Sequence, residues 1–140
     1  MSYWSRRFKT HAILLVILSE VEEFLRDLEA RKNNGEKDAR IMFEKIAYCI
    51  ERVRLQGTRA GTKIIKDLKG KENDNLYELR PLDERIFMCL WNGNHFVMLS
   101  HYTKDANETD ELELARARRL RDKFLKEHPV GGKSVNNKKG

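Results

Sequence analysis

Arg80 and Arg85 stand five positions apart on either side of Pro81-Leu82-Asp83-Glu84, with strand-like runs beyond them. Folding does not demand arginine at both sites. A guanidinium is planar, permanently charged and forked, so two on one turn suit the oxygens of a phosphate backbone. Arg59 lies upstream in Gly57-Thr58-Arg59-Ala60-Gly61, and Lys104 follows the last apolar run. A plainer reading stays open beside this one: Arg80 and Arg85 pair with Glu78, Asp83 or Glu84 at a sheet edge.

Three strand signals position these cations. Leu76 to Arg80 alternates, with Leu76, Glu78 and Arg80 on one face and Tyr77 and Leu79 on the other. Arg85 to Trp91 is rich in β-formers, Asn92-Gly93 is a hairpin signal, and His95 to Tyr102 is the third strand. His95 falls in the turn region, where a solvated side chain is expected. Together these segments predict a three-strand meander.

Ahead of it, the short apolar run Ala12 to Leu18 reads as a strand covered on both faces. Val21, Phe24, Leu25 and Leu28 form the stripe of an amphipathic helix. Ser19 and Glu22 resemble a capping box, and Asn33-Asn34-Gly35 supplies a left-handed stop. Met42, Ile46, Cys49, Ile50 and Val53 face a second helix inward, and Gly57 ends it. Thr58 to Lys71 reads as a connection anchored by Ile64, Ile65 and Leu68, and Lys71 to Asn75 as a polar turn. A last helix runs from about Asp110 to Glu127, with Leu114, Ala117, Leu120 and Phe124 inward. Arg116, Arg119, Lys123 and Lys126 line another of its faces, either a solvated surface or a binding one. His128-Pro129 ends it. The predicted class is α+β, with helices against one sheet face. Residues 1–128 are expected to form a single domain and 129–140 a basic disordered tail.

The net charge of +6 and pI near 9.4 favour an acidic partner without choosing between nucleic acid, membrane surface and protein. Cys49 and Cys89 sit in apolar runs without metal-type spacing, which predicts buried free thiols in a reducing compartment. Arg6, Arg7 and Lys9 before Ala12 to Leu18 superficially resemble a signal peptide. The apolar run is too short for a membrane span, which needs about 20 residues, and Ser19-Glu20 follows at once with no small-residue cleavage site. A cytoplasmic protein without a membrane segment is expected.

The chain resembles HigB-type toxins of the RelE/ParE superfamily, in their phage-derived Gp49-like branch. Gly57 to Gly61, Ile65 to Leu68, Tyr77-Glu78-Leu79-Arg80-Pro81, Arg85-Ile86, Phe96 to Leu99, Lys104 and Thr109 carry the likeness. It covers roughly residues 19–126 (the helices in pattern only). The resemblance implies a RelE-like fold, in which the N-terminal strand and the meander form a small antiparallel sheet packed with two N-terminal helices and a C-terminal one. It implies the toxin of a two-gene toxin–antitoxin module, a metal-independent, cofactor-free endoribonuclease that cuts messenger RNA in the ribosome. A helix-turn-helix antitoxin of the HigA type would be its partner. A ParE-like branch poisons DNA gyrase instead.

Metal-free RNA cleavage uses the 2′-hydroxyl as nucleophile, so the protein must orient it, offset charge on the phosphorane and move protons. Arg80, Arg85 and Lys104 would form the basic triangle, and His101 or Tyr102 the proton shuttle. Histidine titrates near pH 6.5 when unperturbed. Strand alternation turns these two neighbours to opposite sides. For His101 a strand-end bond to backbone remains open, and Tyr102 stands where relatives carry a packing aromatic. Arg59, Arg116, Arg119 and Lys123 are candidates for holding the RNA backbone.

The chain also departs from the pattern. Relatives follow the last strand with Lys-Lys-x-x-Lys-Thr-Pro, whereas this loop reads Lys104-Asp105-Ala106-Asn107-Glu108-Thr109-Asp110. Acids in place of two lysines weaken attraction for a phosphate backbone. Ser100 replaces a common histidine, Glu78 stands where the RelE branch carries lysine, and the marked turn before the first helix is missing. A non-catalytic member of the same fold is therefore the competing reading. A generic nucleic-acid binder using the last helix is disfavoured, because stacking aromatics do not interleave with its basic residues.

Overall fold

The structure, a computed structural model, describes residues 14–105 and 110–130. Its strands are β1 (Leu14–Ile17), β2 (Ile65–Asp67), β3 (Tyr77–Leu79), β4 (Glu84–Trp91) and β5 (His95–Thr103). Its helices are α1 (Ser19–Asn33), α2 (Lys37–Gln56) and α3 (Glu111–Glu127), with short 3-10 turns at Gly57–Ala60 and Lys71–Asn73. The predicted meander is present: β3, β4 and β5 pair antiparallel in succession. Asn92 and Gly93 both take positive φ, 56° and 80°, the geometry that matches the twist of a hairpin.

Two edge strands complete a five-stranded mixed sheet in the order β1-β5-β4-β3-β2. β1 runs parallel to β5, with Leu14 opposite His95 and Ile17 opposite Met98. β2 pairs antiparallel with β3, inside the stretch that the sequence presents as a connection. Three residues, two of them the exposed Lys66 and Asp67, carry too little alternation to signal a strand. A short, charged strand is nevertheless what a sheet edge favours.

Helices cover both faces of the sheet instead of one. From α1 and α2, Leu25, Phe43, Ile46 and Ile50 pack toward Ile86, Met88, Phe96 and Met98. From α3, Leu114, Ala117 and Phe124 pack toward Phe87, Cys89, Val97 and Leu99. Every residue from Ile86 to Cys89 and from Phe96 to Leu99 is buried, and one layer of helices cannot hide both sides of a pleat. β1 contributes Leu15 and Ile17 to the first core and Val16 to the second, yet its residues stay half-exposed at the sheet edge. Ala12 and Ile13 lie outside the described residues. Phe87 faces Ser100 while Met88 faces Met98, so Leu99 is an extra residue that bulges β5.

Helix ends follow local chemistry. α1 begins on Ser19 itself with Leu18 at the N-cap and no side-chain cap bond, so the expected capping box does not form; Glu22 pairs with Arg26 instead. Its other end is a Schellman motif: Gly35 N–H donates to Lys32 O at 2.9 Å and Glu36 N–H to Arg31 O at 3.0 Å. Asp110 caps α3, its Oδ1 accepting from Leu112 and Glu113 N–H at 2.9 and 3.1 Å. The far end of α3 is tied down where Trp91 Nε1 donates to His128 O at 2.8 Å. His95 is half-buried instead of fully solvated; it packs on the Trp91 indole with ring centroids 5.0 Å apart. Cys49 and Cys89 are buried free thiols as expected. No helix among the described residues is long and apolar enough to cross a membrane. The expected disordered tail falls, from residue 131 onward, outside the described residues.

Gly35 has φ of 89° with open space where a Cβ would stand, so a substitution there meets backbone strain alone. Gly35→Ala should cost about 1–2 kcal/mol, read as a lower urea midpoint with an unchanged m-value.

Candidate phosphate-binding site

The β3–β4 turn builds the site. Glu78 pairs across the ladder with Phe87, on the sheet face that α3 covers, and is only 1% exposed. Its Oε1 lies 3.7 Å from Arg80 Nε and 3.9 Å from Arg85 Nε. The two arginines therefore converge, and what they converge on is a carboxylate. A buried carboxylate must be paired to be tolerated. The plainer reading of the sequence is met: the guanidinium groups share one turn and are ion-paired to Glu78.

Backbone carbonyls fix both forks. Arg80 Nη1 donates to Thr62 O at 2.8 Å, and Arg85 Nη1 donates to Leu82 O at 2.7 Å and to Glu84 O at 2.8 Å. Arg85 Nε is buried and makes no hydrogen bond among the described residues. Leu82 carries φ of 56°, a strained conformation for leucine, on the turn that Arg85 clamps. Arg80 keeps part of its side chain in solvent, while Arg85 is nearly covered.

The same end of the sheet gathers further cations. Lys104 N–H donates to Asp83 O at 2.7 Å, which holds Lys104 beside the turn. The loop carrying the exposed Arg59 is joined to Arg80 through the Thr62 carbonyl. Tyr102 pairs with Arg85 across the ladder and stacks on Phe87 at 5.7 Å, the packing role expected of it.

His101 sits on the opposite face. It stacks on Phe24 of α1 at 4.2 Å, and its Nδ1 lies 2.7 Å from Oε2 of the buried Glu84. Thr103 Oγ1 donates to the other Glu84 oxygen at 2.9 Å. The geometry thus joins Arg80 and Arg85, sets the backbone of Lys104 beside their turn and leaves His101 apart from them.

On α3 the basic residues divide. Arg116 donates to Glu20 through both Nη atoms, at 2.5 and 2.7 Å, and to Glu113 at 3.2 Å. That fork joins α3 to the start of α1 and raises the Arg116 pKa. It also holds the Glu20 carboxyl below its ordinary range, against the opposing pull of burial. Arg119 and Lys123 are exposed, as is Lys126. Lys123 edges a groove of about 460 Å³ between β1 and α3, floored by Val16, Leu99, Leu120 and Phe124. Two arginines not singled out from sequence hold the turn before β3: Arg118 donates to Asn73 Oδ1 at 2.8 Å and Arg121 to Asp74 O at 2.6 Å. Glu78 was visible only as one of three potential arginine partners. Its place on the Leu76 face of an alternating strand was the signal that it would be buried.

A five-stranded mixed sheet between a helix pair and a single helix, with arginines at one sheet end, defines a small α+β protein of RelE-like type. The profile of the family described as "Phage derived protein Gp49-like (DUF891)" matches residues 23–122, and the chain belongs to this phage-derived, toxin-like family. The match runs from α1 into α3 and so includes the whole arginine end. No curated protein matches the chain.

Because Glu20 has a lowered pKa in the folded state, its pair with Arg116 contributes fully above the ordinary value of 4.5 and is lost as pH falls through the depressed one. Glu20→Gln should remove that part of the acid-induced loss of stability, read as a flatter stability curve below pH 4.5 in urea titrations.

Proposed function

We propose that this protein is the toxin of a two-gene toxin–antitoxin module and that it inhibits translation by cutting messenger RNA at the ribosome. The observation that carries the reading is the convergence of Arg80 and Arg85 on one turn, with Lys104 beside it. Family membership supports it at the coarser level of a phage-derived, toxin-like protein. Arg80, partly in solvent, would take the non-bridging oxygens of the scissile phosphate. Arg85, held by two backbone carbonyls, would fix the turn and supply field to the phosphorane. Lys104 would neutralise the flanking backbone. Exposed Arg59, Arg119 and Lys123 would guide the strand and make binding salt-dependent. The cytoplasm, the ribosome and a helix-turn-helix antitoxin of the HigA type belong to the same proposal.

One observation favours a second reading. His101, the imidazole assigned to proton transfer, faces α1 and is engaged by Glu84. A member of the fold without catalysis, which holds its target through the arginine end or inhibits gyrase, would need no imidazole there.

A translating extract distinguishes the two. Under the first reading, purified protein cuts messenger RNA at codon boundaries, and Arg80→Ala lowers cleavage by roughly a hundredfold or more with an unchanged far-UV spectrum. Arg80→Lys, which keeps the charge but loses the fork, should recover part of the rate. Growth arrest with intact messenger RNA and damaged DNA would establish the second reading in its place. Arg85→Ala strips a partner from buried Glu78, so it should also lower stability by about 3–5 kcal/mol, measured by urea unfolding.

A further inference from the structure

The outward face of α2 repeats every seven residues. Ile41, Tyr48 and Leu55 are 41%, 50% and 59% exposed and stand one heptad apart. At about 3.6 residues per turn they form a single stripe, away from the side on which Phe43, Ile46, Ile50 and Val53 enter the core. Charges flank it at the same interval: Lys37-Asp38, Glu44-Lys45 and Glu51-Arg52. Helical geometry sets Glu44 and Glu51 along one side of the stripe and Lys45 and Arg52 along the other. A solvated helix face does not need three large apolar residues in line.

We propose that α2 pairs in parallel with α2 of a second copy of this chain, about a two-fold axis that runs along the stripe. In a parallel pair, the left side of one stripe meets the right side of the other, as flanking positions do in parallel coiled coils. Glu44 then meets Lys45 of the partner subunit, and Glu51 meets Arg52 of the partner subunit. In the first turn Lys37 meets Asp38 of the partner subunit, with the signs exchanged. Ile41, Tyr48 and Leu55 each pack on their own symmetry mate. An antiparallel pair centred on Tyr48 would instead bring Glu44 to Glu51 and Lys45 to Arg52, all like charges. The charge pattern therefore selects both a second copy and its direction. Within one chain these groups make local contacts: Arg40 lies 3.8 Å from Glu44, Lys45 Nζ sits 5.0 Å above the Tyr48 ring, and Glu51 is ion-paired through Oε2 to the buried Arg54, so Glu51 would share its carboxylate between Arg54 and the partner subunit.

Sedimentation equilibrium of the full chain tests this. The expected mass rises with concentration to twice 16.5 kDa, and the dimer weakens in high salt. Tyr48→Glu and the double variant Lys45→Glu/Arg52→Glu should each be monomeric with an unchanged far-UV spectrum. For direction, Ile41→Cys and Leu55→Cys should each cross-link to themselves with a short bis-maleimide. Burial pushes the native Cys49 and Cys89 thiols up to about 11 and about 12, so they do not compete at neutral pH. A chain that stays at monomer mass at every concentration overturns the proposal. So does a dimer that survives the double charge reversal, or one in which Ile41→Cys links only to Leu55→Cys.

Discussion

A carboxylate shut inside a sheet must find positive charge, and Glu78 finds it in two arginines at once. The ionised group loses its water when β3 pairs with β4, and an unpaired charge there would cost several kcal/mol. Arg80 and Arg85 are the cations within reach on the same face, one from each end of the turn. Their remaining donors then bind Thr62, Leu82 and Glu84 carbonyls, and the turn, the loop after α2 and the start of β4 become one unit. After Glu78 is counted, two cations and one anion leave one positive charge, presented from the Arg80 side. A bound phosphate would thus meet a fork already oriented by the fold, with little side-chain entropy left to lose.

The sheet also partitions chemistry. On the α3 face lie the arginines and Glu78; on the α1–α2 face lie Glu84, His101 and Thr103. Glu20 joins the two sides: it takes the Arg116 fork from α3, and its Oε2 accepts from the His101 backbone N–H at 3.4 Å. Movement of α3 would therefore be felt at the end of β5 through one carboxylate. Arg116 looked in sequence like one member of a basic helix face. Glu20, which takes its fork, stands 96 residues away, and no local pattern points to that pairing.

What was legible followed periodicity and turn chemistry. The helix stripes, Gly35, Gly57 and the Asn92-Gly93 hairpin were readable because each is decided by neighbours in the chain. β2 was not, because three residues give no period. The division of the helices between two faces was missed although its signal was present, in the unbroken burial demanded by Ile86 to Cys89 and Phe96 to Leu99. The arginine site was half readable. Spacing across a turn brought Arg80 and Arg85 together, while the depth of Glu78 depended on its place opposite Phe87, on the sheet face that α3 covers. Ser100, flagged for replacing a histidine, is fully buried with no hydrogen bond to its hydroxyl among the described residues.

The bulge in β5 acts as a parity element. Before it, Phe96 and Met98 point to the helix pair and Val97 and Leu99 to α3; after it, even and odd exchange roles, so Tyr102 joins the α3 side and His101 the other. Because the ladder skips Leu99, a phenol, and not an imidazole, stands across from Arg85. Were Leu99 kept but paired in a regular ladder with Phe87, every residue beyond it would shift by one and His101 would stand across from Arg85. The chemical identity of this sheet end is set by where the pairing is interrupted as much as by the residue types.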